Sequence, residues 1–164
     1  MENLKFEELT IKDINRSYLD ILAQLAPNKD LSHLSIEGAQ KAHIRNKHRG
    51  RINYILKEIV NDSNIIIEER IVGIGSIIFD YRIANWPRPA AHVEDIAIRK
   101  DLHGFGYGKA LMDHIKAAAQ AKKAYKVILS CSEYNIKFYK KCGFIQTCAT
   151  MRYDFDEDCY VVSE

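Results

Sequence analysis

The hexapeptide His103-Gly104-Phe105-Gly106-Tyr107-Gly108 constrains this chain more than any other part of it. Glycine recurs at every second position, between an apolar strand-like run (Ala91 to Ile98) and an amphipathic stretch from Gly106 to Lys122. Glycine admits positive φ and lets a ligand approach the backbone closely. A helix starting directly after such a turn presents unpaired N–H groups and the positive end of its dipole. The pattern predicts a strand–loop–helix unit whose loop can cradle a phosphate. A turn that merely joins strand to helix fits the hexapeptide equally well, so the flanking sequence has to decide.

Past the helix, Tyr125 to Cys131 reads as a short strand, and Asn135 to Phe144 as a short helix ended by Gly143 that re-enters a strand. Upstream, Leu4 to Leu9 predicts a first strand. Thr10 then caps a helix with Ile11, Ile14, Tyr18, Ile21, Leu22 and Leu25 on one side, ending near Pro27. Leu31 to Asn61 reads as a long, mostly helical polar stretch interrupted at Gly38 and Gly50, its last part carrying an apolar face of Ile52, Ile55, Leu56 and Ile59. Ser63 to Glu68 and Ile71 to Phe79 form an expected hairpin turning at Glu69-Arg70, with Tyr81 to Ala90 as a loop and Val93 to Ile98 as a central strand. In the Gly106 to Lys122 helix, Ala110, Leu111, Ile115 and Ala118 are expected inside, and Lys109, Asp113, Lys116 and Gln120 outside. Gly143 to Phe155 completes a βααβββαβαβ order, with Asp154 to Asp158 as a fraying acidic end; this is a mixed α/β sheet flanked by helices.

The 164 residues suit a single domain spanning 1–164. A net charge of +2 gives no broad basic field, so no nucleic acid partner is expected. The start Met1 to Glu8 lacks a signal-peptide apolar region, and runs such as Ile65-Ile66-Ile67 are too short to span a bilayer. A soluble cytoplasmic protein with no membrane partner is the expectation. Cys131, Cys142, Cys148 and Cys159 lack zinc-ligand spacing, so free thiols and no metal are expected; Cys131 suits strand packing. The basic run Lys41, His43, Arg45, Lys47, His48, Arg49 and Arg51 reads as a solvated helix face or a specificity loop rather than a polyanion site, with the acidic tail among its counter-ions.

The stretch from His92 to Phe144 resembles the GNAT superfamily of acetyl-CoA-dependent N-acetyltransferases. Its loop matches the pyrophosphate motif Arg/Gln-x-x-Gly-x-Gly/Ala, with His103 in the Arg/Gln place. Within that superfamily, His92-Val93-Glu94-Asp95-Ile96-Ala97-Ile98, Tyr125 to Leu129 and Asn135 to Phe144 are similar to the glucosamine 6-phosphate N-acetyltransferases. So is the start, from Phe6-Glu7-Glu8-Leu9 to Leu22-Ala23-Gln24-Leu25. The similarity spans nearly the whole chain and is thinnest from Asn28 to Val60.

The resemblance implies the GNAT fold, acetyl-CoA as co-substrate and direct attack of the amine of glucosamine 6-phosphate on the thioester. It further implies a place in UDP-N-acetylglucosamine biosynthesis and a homodimer. A GNAT acting on a protein N-terminus, a lysine or a polyamine is the alternative, and a non-catalytic acyl-CoA- or anion-binding module a third reading. The implied cofactor site comprises Ile96, Ala97, Ile98, His103, Gly104, Phe105, Gly106, Tyr107, Gly108, Lys109, Asn135, Phe138 and Tyr139. Backbone N–H groups from Phe105 to Gly108 serve the pyrophosphate, with charge from Lys109 unless that lysine is simply solvated. His103 offers one donor where Arg offers a fork, or is structural. Tyr139 is the implied partner of the departing thiolate: a phenol with pKa ~10 stays protonated at neutral pH and can donate to a sulfur whose thiol pKa is ~8.5. Asn135 binds the pantetheine arm or caps the helix. Glu94 and Asp95 are placed at the acceptor amine, although adjacent strand residues point to opposite faces. Arg82, Lys126, Ser130 and Arg152 complete the candidate substrate residues. Two departures stand out: Ser130 replaces a carboxylate of the relatives, and Asp154 replaces an arginine assigned to the 6-phosphate.

Overall fold

The computed structural model describes residues 3–25, 35–62, 65–147 and 149–151. Five strands form one sheet in the order β1 (Leu4–Glu8), β2 (Arg51–Asp62), β3 (Ile65–Asp80), β4 (Ala90–Ile98) and β5 (Lys126–Ile128). Neighbours are antiparallel except β4 and β5, whose parallel pairing requires a crossover. Helix α3 (Tyr107–Ala121) supplies it. Helices α1 (Arg16–Leu22) and α2 (Ile36–His48) lie between β1 and β2 in the chain, and α4 (Ile136–Lys141) follows β5. The expected mixed α/β sheet is what the chain forms. No described helix is long and apolar enough to cross a membrane.

Helix α1 starts later than expected. The Asp13 carboxylate accepts from the Thr10 amide (3.0 Å) and hydroxyl (2.6 Å), which closes a separate short turn. Asn15 then caps α1, its side chain accepting from the Tyr18 N–H at 3.1 Å. Pro27 lies outside the described residues. Helix α2 is capped by Ser35, which accepts from the Gly38 N–H at 3.0 Å, so Gly38 sits inside the first turn and interrupts nothing. Gly50 does end the helix, with φ +77°.

The helical face expected from Ile52 to Ile59 is instead strand β2. Tyr54, Ile55 and Leu56 are all buried in succession. Tyr54 and Leu56 join the core beneath α3, while Ile55 joins the core beneath α1 and α2. A strand covered on both faces loses its apolar–polar alternation, and a continuous apolar run can then pass for a helix. The expected turn at Glu69-Arg70 is absent too: β3 runs through it unbroken, and the β2–β3 reversal lies between Asp62 and Ile65. Arg70 is opposite Glu58, and its guanidinium grips that carboxylate with two nitrogens (Nε at 2.6 Å), so a charged pair belongs to the ladder. Of the expected last strand, residues 144–147 and 149–151 take part in no ladder, and the rest lies outside the described residues. On α3 the buried positions are Leu111, Met112, Ile115 and Ala119, with Ala118 and Ala110 only half-buried, so the face is rotated slightly from expectation.

Lys57 of β2 reaches Glu7 (2.6 Å), Asp13 (2.8 Å) and Glu69 (3.6 Å), tying β1, the first turn and β3 together. Burial raises the Glu7 and Asp13 carboxyls. Hydrogen bonds from Lys5 and Lys57 on the first, and from Lys57 and Thr10 on the second, outweigh it and leave both below their ordinary values. A carboxyl lowered by folding contributes stability above its unfolded pKa, about 4, and loses that contribution as pH falls through the folded value. Melting temperature is therefore expected to drop on acidification below about pH 4, and Lys57→Met to flatten the drop. An unchanged acid slope in thermal melts of Lys57→Met would show that this cluster is not its source.

Candidate active site

The feature that shapes the site is the early end of β5. It pairs with β4 only at Ala90, Ala91 and His92. From Val93 to Ile98 that edge of β4 has no partner strand among the described residues, which leaves its backbone N–H and C=O groups open apart from the Ile98 carbonyl, which the His103 side chain engages. A cavity of about 650 Å³ lies along this edge. Ile96, Ala97 and Ile98 form one wall, and Asn135, Phe138 and Tyr139 form another. Its far end is closed by His103, Gly104, Gly106, Gly108 and Lys109, with Gln24 and Leu25 contributing from behind α1.

The glycine loop has the backbone its sequence predicts. Gly104 and Gly106 stand at φ +87° and +90°, the region that favours glycine. Gly106 is the N-cap of α3, and the first helical bond runs from the Ala110 N–H to the Gly106 carbonyl (3.0 Å). The N–H groups of Tyr107, Gly108 and Lys109 therefore have no partner within the helix and lie at its positive end. Gly108 has a different reason to be glycine: a Cβ there would stand 3.1 Å from the Phe138 ring. Phe105 projects outward, 72% exposed.

His103 places its Nε2 2.9 Å from the Ile98 carbonyl oxygen. A carbonyl only accepts, so Nε2 carries the proton and that nitrogen is committed to the strand rather than to a phosphate. Lys109 reaches Asp113 (2.6 Å), which Lys116 also contacts at 2.9 Å. Tyr139 packs edge-on against Phe138 (5.0 Å) and Phe144 (5.9 Å). Burial, and after it the nearby Cys131, Cys142 and Glu94, push its phenol up to about 12. Asn135 ends the turn leading into α4 and makes no side-chain cap bond, so its amide is available at the cavity.

Glu94 and Asp95 do not follow strand alternation. Ser76 pairs with Glu94 and Ile74 with Ala97, so Gly75 alone faces two residues: β4 carries a bulge. Asp95 occupies it with φ +56°. Its carboxylate pairs with Arg51, whose Nη2 also bonds Ser76 Oγ at 2.8 Å. Ser76 is directly opposite Glu94 in the ladder, so the two carboxylate residues converge on one face.

Other candidates are not gathered here. Arg82 pairs with Asp80 at 2.6 Å, and Lys126 begins β5 with its ammonium 5.3 Å from the Tyr125 ring. Lys126 is opposite Ala90, about 13 Å along the strand from Glu94 at 3.3 Å per residue. Ser130 is exposed beyond the end of β5. Cys131 is exposed there as well and not in a strand, because β5 stops at Ile128, while Cys142 is buried. Arg152, Asp154, Cys148 and Cys159 lie outside the described residues. The basic run is divided: Lys41 pairs with Glu37 (2.7 Å), His43 Nδ1 meets the Asn53 amide (3.1 Å), and Arg51 belongs to β2. Among the described residues no group of three His, Cys, Asp or Glu could hold a metal ion. Sequence reasoning missed Arg51 and Ser76 as site residues, since only the register of three strands brings them to Asp95.

Known proteins share this sequence pattern and fold. Glucosamine 6-phosphate N-acetyltransferase of Trypanosoma brucei brucei is 30% identical over 93% of this chain and 96% of its own length. Glucosamine 6-phosphate N-acetyltransferase 1 of Dictyostelium discoideum is 28% identical over 87% of this chain and 85% of its own. The crystal structure of a Trypanosoma brucei acetyltransferase superposes with a TM-score of 0.75 at 27% identity, covering 92% of this chain and 99% of that one. Residues 30–144 match the acetyltransferase (GNAT) family, and to that family this chain belongs.

Proposed function

We propose that this protein, as one domain over residues 1–164, acetylates the amine of glucosamine 6-phosphate with acetyl-CoA, giving N-acetylglucosamine 6-phosphate. The observation that carries the reading is one cavity lined by an open strand edge, a glycine loop on a helix N-terminus and a protonated tyrosine. The names of the relatives supply the acceptor. The fit to the donor is physical: open N–H and C=O groups suit the amides of an extended pantetheine arm, and unpaired N–H groups at Tyr107 to Lys109 suit a diphosphate.

Acetyl-CoA supplies the acetyl group as a thioester. Ile96, Ala97 and Ile98 hold the arm through their backbone, and Gly104 to Gly108 hold the diphosphate through theirs. His103 fixes the end of β4 through Ile98 and stiffens the loop. Glu94 receives the acceptor ammonium and takes up the proton it releases, so that a neutral amine forms the new N–C bond. A sugar amine flanked by electron-withdrawing oxygens gives up that proton more readily than lysine. Tyr139 holds a proton on its phenol oxygen and donates it to the sulfur as the C–S bond breaks, and the second proton, shed by the newly acylated nitrogen, restores the phenol. The same reading carries a homodimer, a cytoplasmic setting and a product feeding UDP-N-acetylglucosamine biosynthesis.

The test is release of CoA thiol with glucosamine 6-phosphate, unphosphorylated glucosamine and a lysine peptide in parallel. Turnover with the phosphorylated sugar at about a hundredfold higher kcat/KM than with the other two is expected. Release with the peptide alone would replace the acceptor and leave the donor site as described.

A further inference from the structure

Asp95 is a non-glycine residue at φ +56°, a conformation that persists only where the surroundings impose it. The surroundings are specific. Arg51, the first residue of β2, reaches across β3 to the Asp95 carboxylate. The same Nη2 bonds Ser76 Oγ at 2.8 Å, and that hydroxyl donates to the Glu94 carbonyl at 3.2 Å. Ser76 is 1% exposed, the buried polar residue of a core that is otherwise apolar among the described residues. Arg51 Nε is buried without a hydrogen-bond partner, a cost that Arg51's other contacts must offset. Gly75 sits opposite the bulge, where a Cβ would stand 2.7 Å from Ile96 Cδ1 and 2.8 Å from Ile115 Cδ1, so both side-chain ends would have to shift. Glu94, by contrast, has no ion-pair partner among the described residues.

We propose that Arg51 and Ser76 are positioning residues for the acceptor: they pin the bulge and engage Asp95, leaving Glu94 as the carboxylate that meets the amine. The two carboxylates then divide the work. Asp95 is structural, its charge matched by the guanidinium, and Glu94 is the binding group. Arg51, Glu94 and Asp95 all lie outside the walls of the cavity, next to its Ile96 end. The brace therefore belongs to the acceptor side of the strand, and Arg51, paired with Asp95, acts through the bulge. The inference rests on the amine-acceptor reading for its kinetic consequence and on geometry alone for its structural one.

The experiment compares Arg51→Met and Arg51→Lys with the wild type. Amide hydrogen exchange at 94–97, followed by NMR, is expected to rise about tenfold or more in Arg51→Met. KM for glucosamine 6-phosphate is expected to rise by about tenfold, while calorimetric affinity for acetyl-CoA stays within about twofold. Arg51→Lys should recover part of the loss, because an ammonium keeps the charge on Asp95 without the planar fork. Should Arg51→Met fail to fold, Asp95→Asn and Ser76→Ala take its place and should raise exchange in the same segment. Unchanged exchange at 94–97 overturns the inference whatever the acceptor is. A parallel loss of acetyl-CoA affinity overturns it as well, by showing that Arg51 supports the fold at large. If the wild type fails to turn over the sugar, the acceptor reading falls, and the exchange result still decides the brace.

Discussion

Tyr139→Phe is expected to lower kcat by about a hundredfold while leaving acetyl-CoA affinity within about twofold. The substitution removes one oxygen and keeps the ring, so the contacts with Phe138 and Phe144 survive. What is lost is a proton donor. The phenol, raised to about 12 by burial and neighbouring negative charge, stays protonated across the working range. Its match to a leaving sulfur is favourable, because a phenol holds its proton until strong negative charge develops beside it. A base at this position would titrate near neutrality; Tyr139 should add no ionisation to the pH profile below about pH 10. Single-turnover release of CoA thiol measures the effect, and an unchanged rate would remove Tyr139 from the chemistry.

Gly108→Val attacks the donor side instead. Its Cβ would lie 3.1 and 3.2 Å from two atoms of the Phe138 ring, and the added methyls close that gap further. Phe138 must then swing, and it forms part of the cavity wall together with Tyr139. Overpacking of this kind costs about 1–3 kcal/mol. Part of that cost falls on acetyl-CoA binding, because α4 and the first turn of α3 hold the cavity between them. A weakening of about thirtyfold or more in acetyl-CoA Kd by calorimetry is expected, alongside a lowered melting temperature. An unchanged Kd would show that the ring retreats without disturbing the wall.

The legible parts of the fold were those governed by local rules. Glycines at 104 and 106 fixed a loop, the run from Leu111 to Ala119 fixed a helix, and Asn135 to Phe144 fixed a short helix ended at Gly143. Where tertiary context governs, the reading failed. Strand β2 carries Tyr54, Ile55 and Leu56 into two different cores, which erases the alternation that would mark it. Glu69 and Arg70 look like a turn, yet the ladder holds them opposite Ile59 and Glu58. The bulge at Asp95 was out of reach for a related reason: its evidence is spread over Arg51, Ser76 and Gly75, which no spacing rule connects. The relation of Tyr139 to the cavity came from resemblance, since a tyrosine after a phenylalanine carries no chemistry by itself.

The open edge of β4 has a wider consequence. A slot that grips its ligand by main chain is largely indifferent to which side chains flank it, provided they fill the core and none is proline. Drift at Ile96, Ala97 or Ile98 can therefore proceed with little effect on the donor. In the proposed assignment the acceptor half is written in side chains: a brace from β2, a carboxylate on β4, whatever cations meet the phosphate. A lineage can rewrite that half by a few exchanges and inherit the other unchanged. Such a scaffold is well suited to diversify, because its shared reagent and its individual customer are recognised by different parts of the peptide.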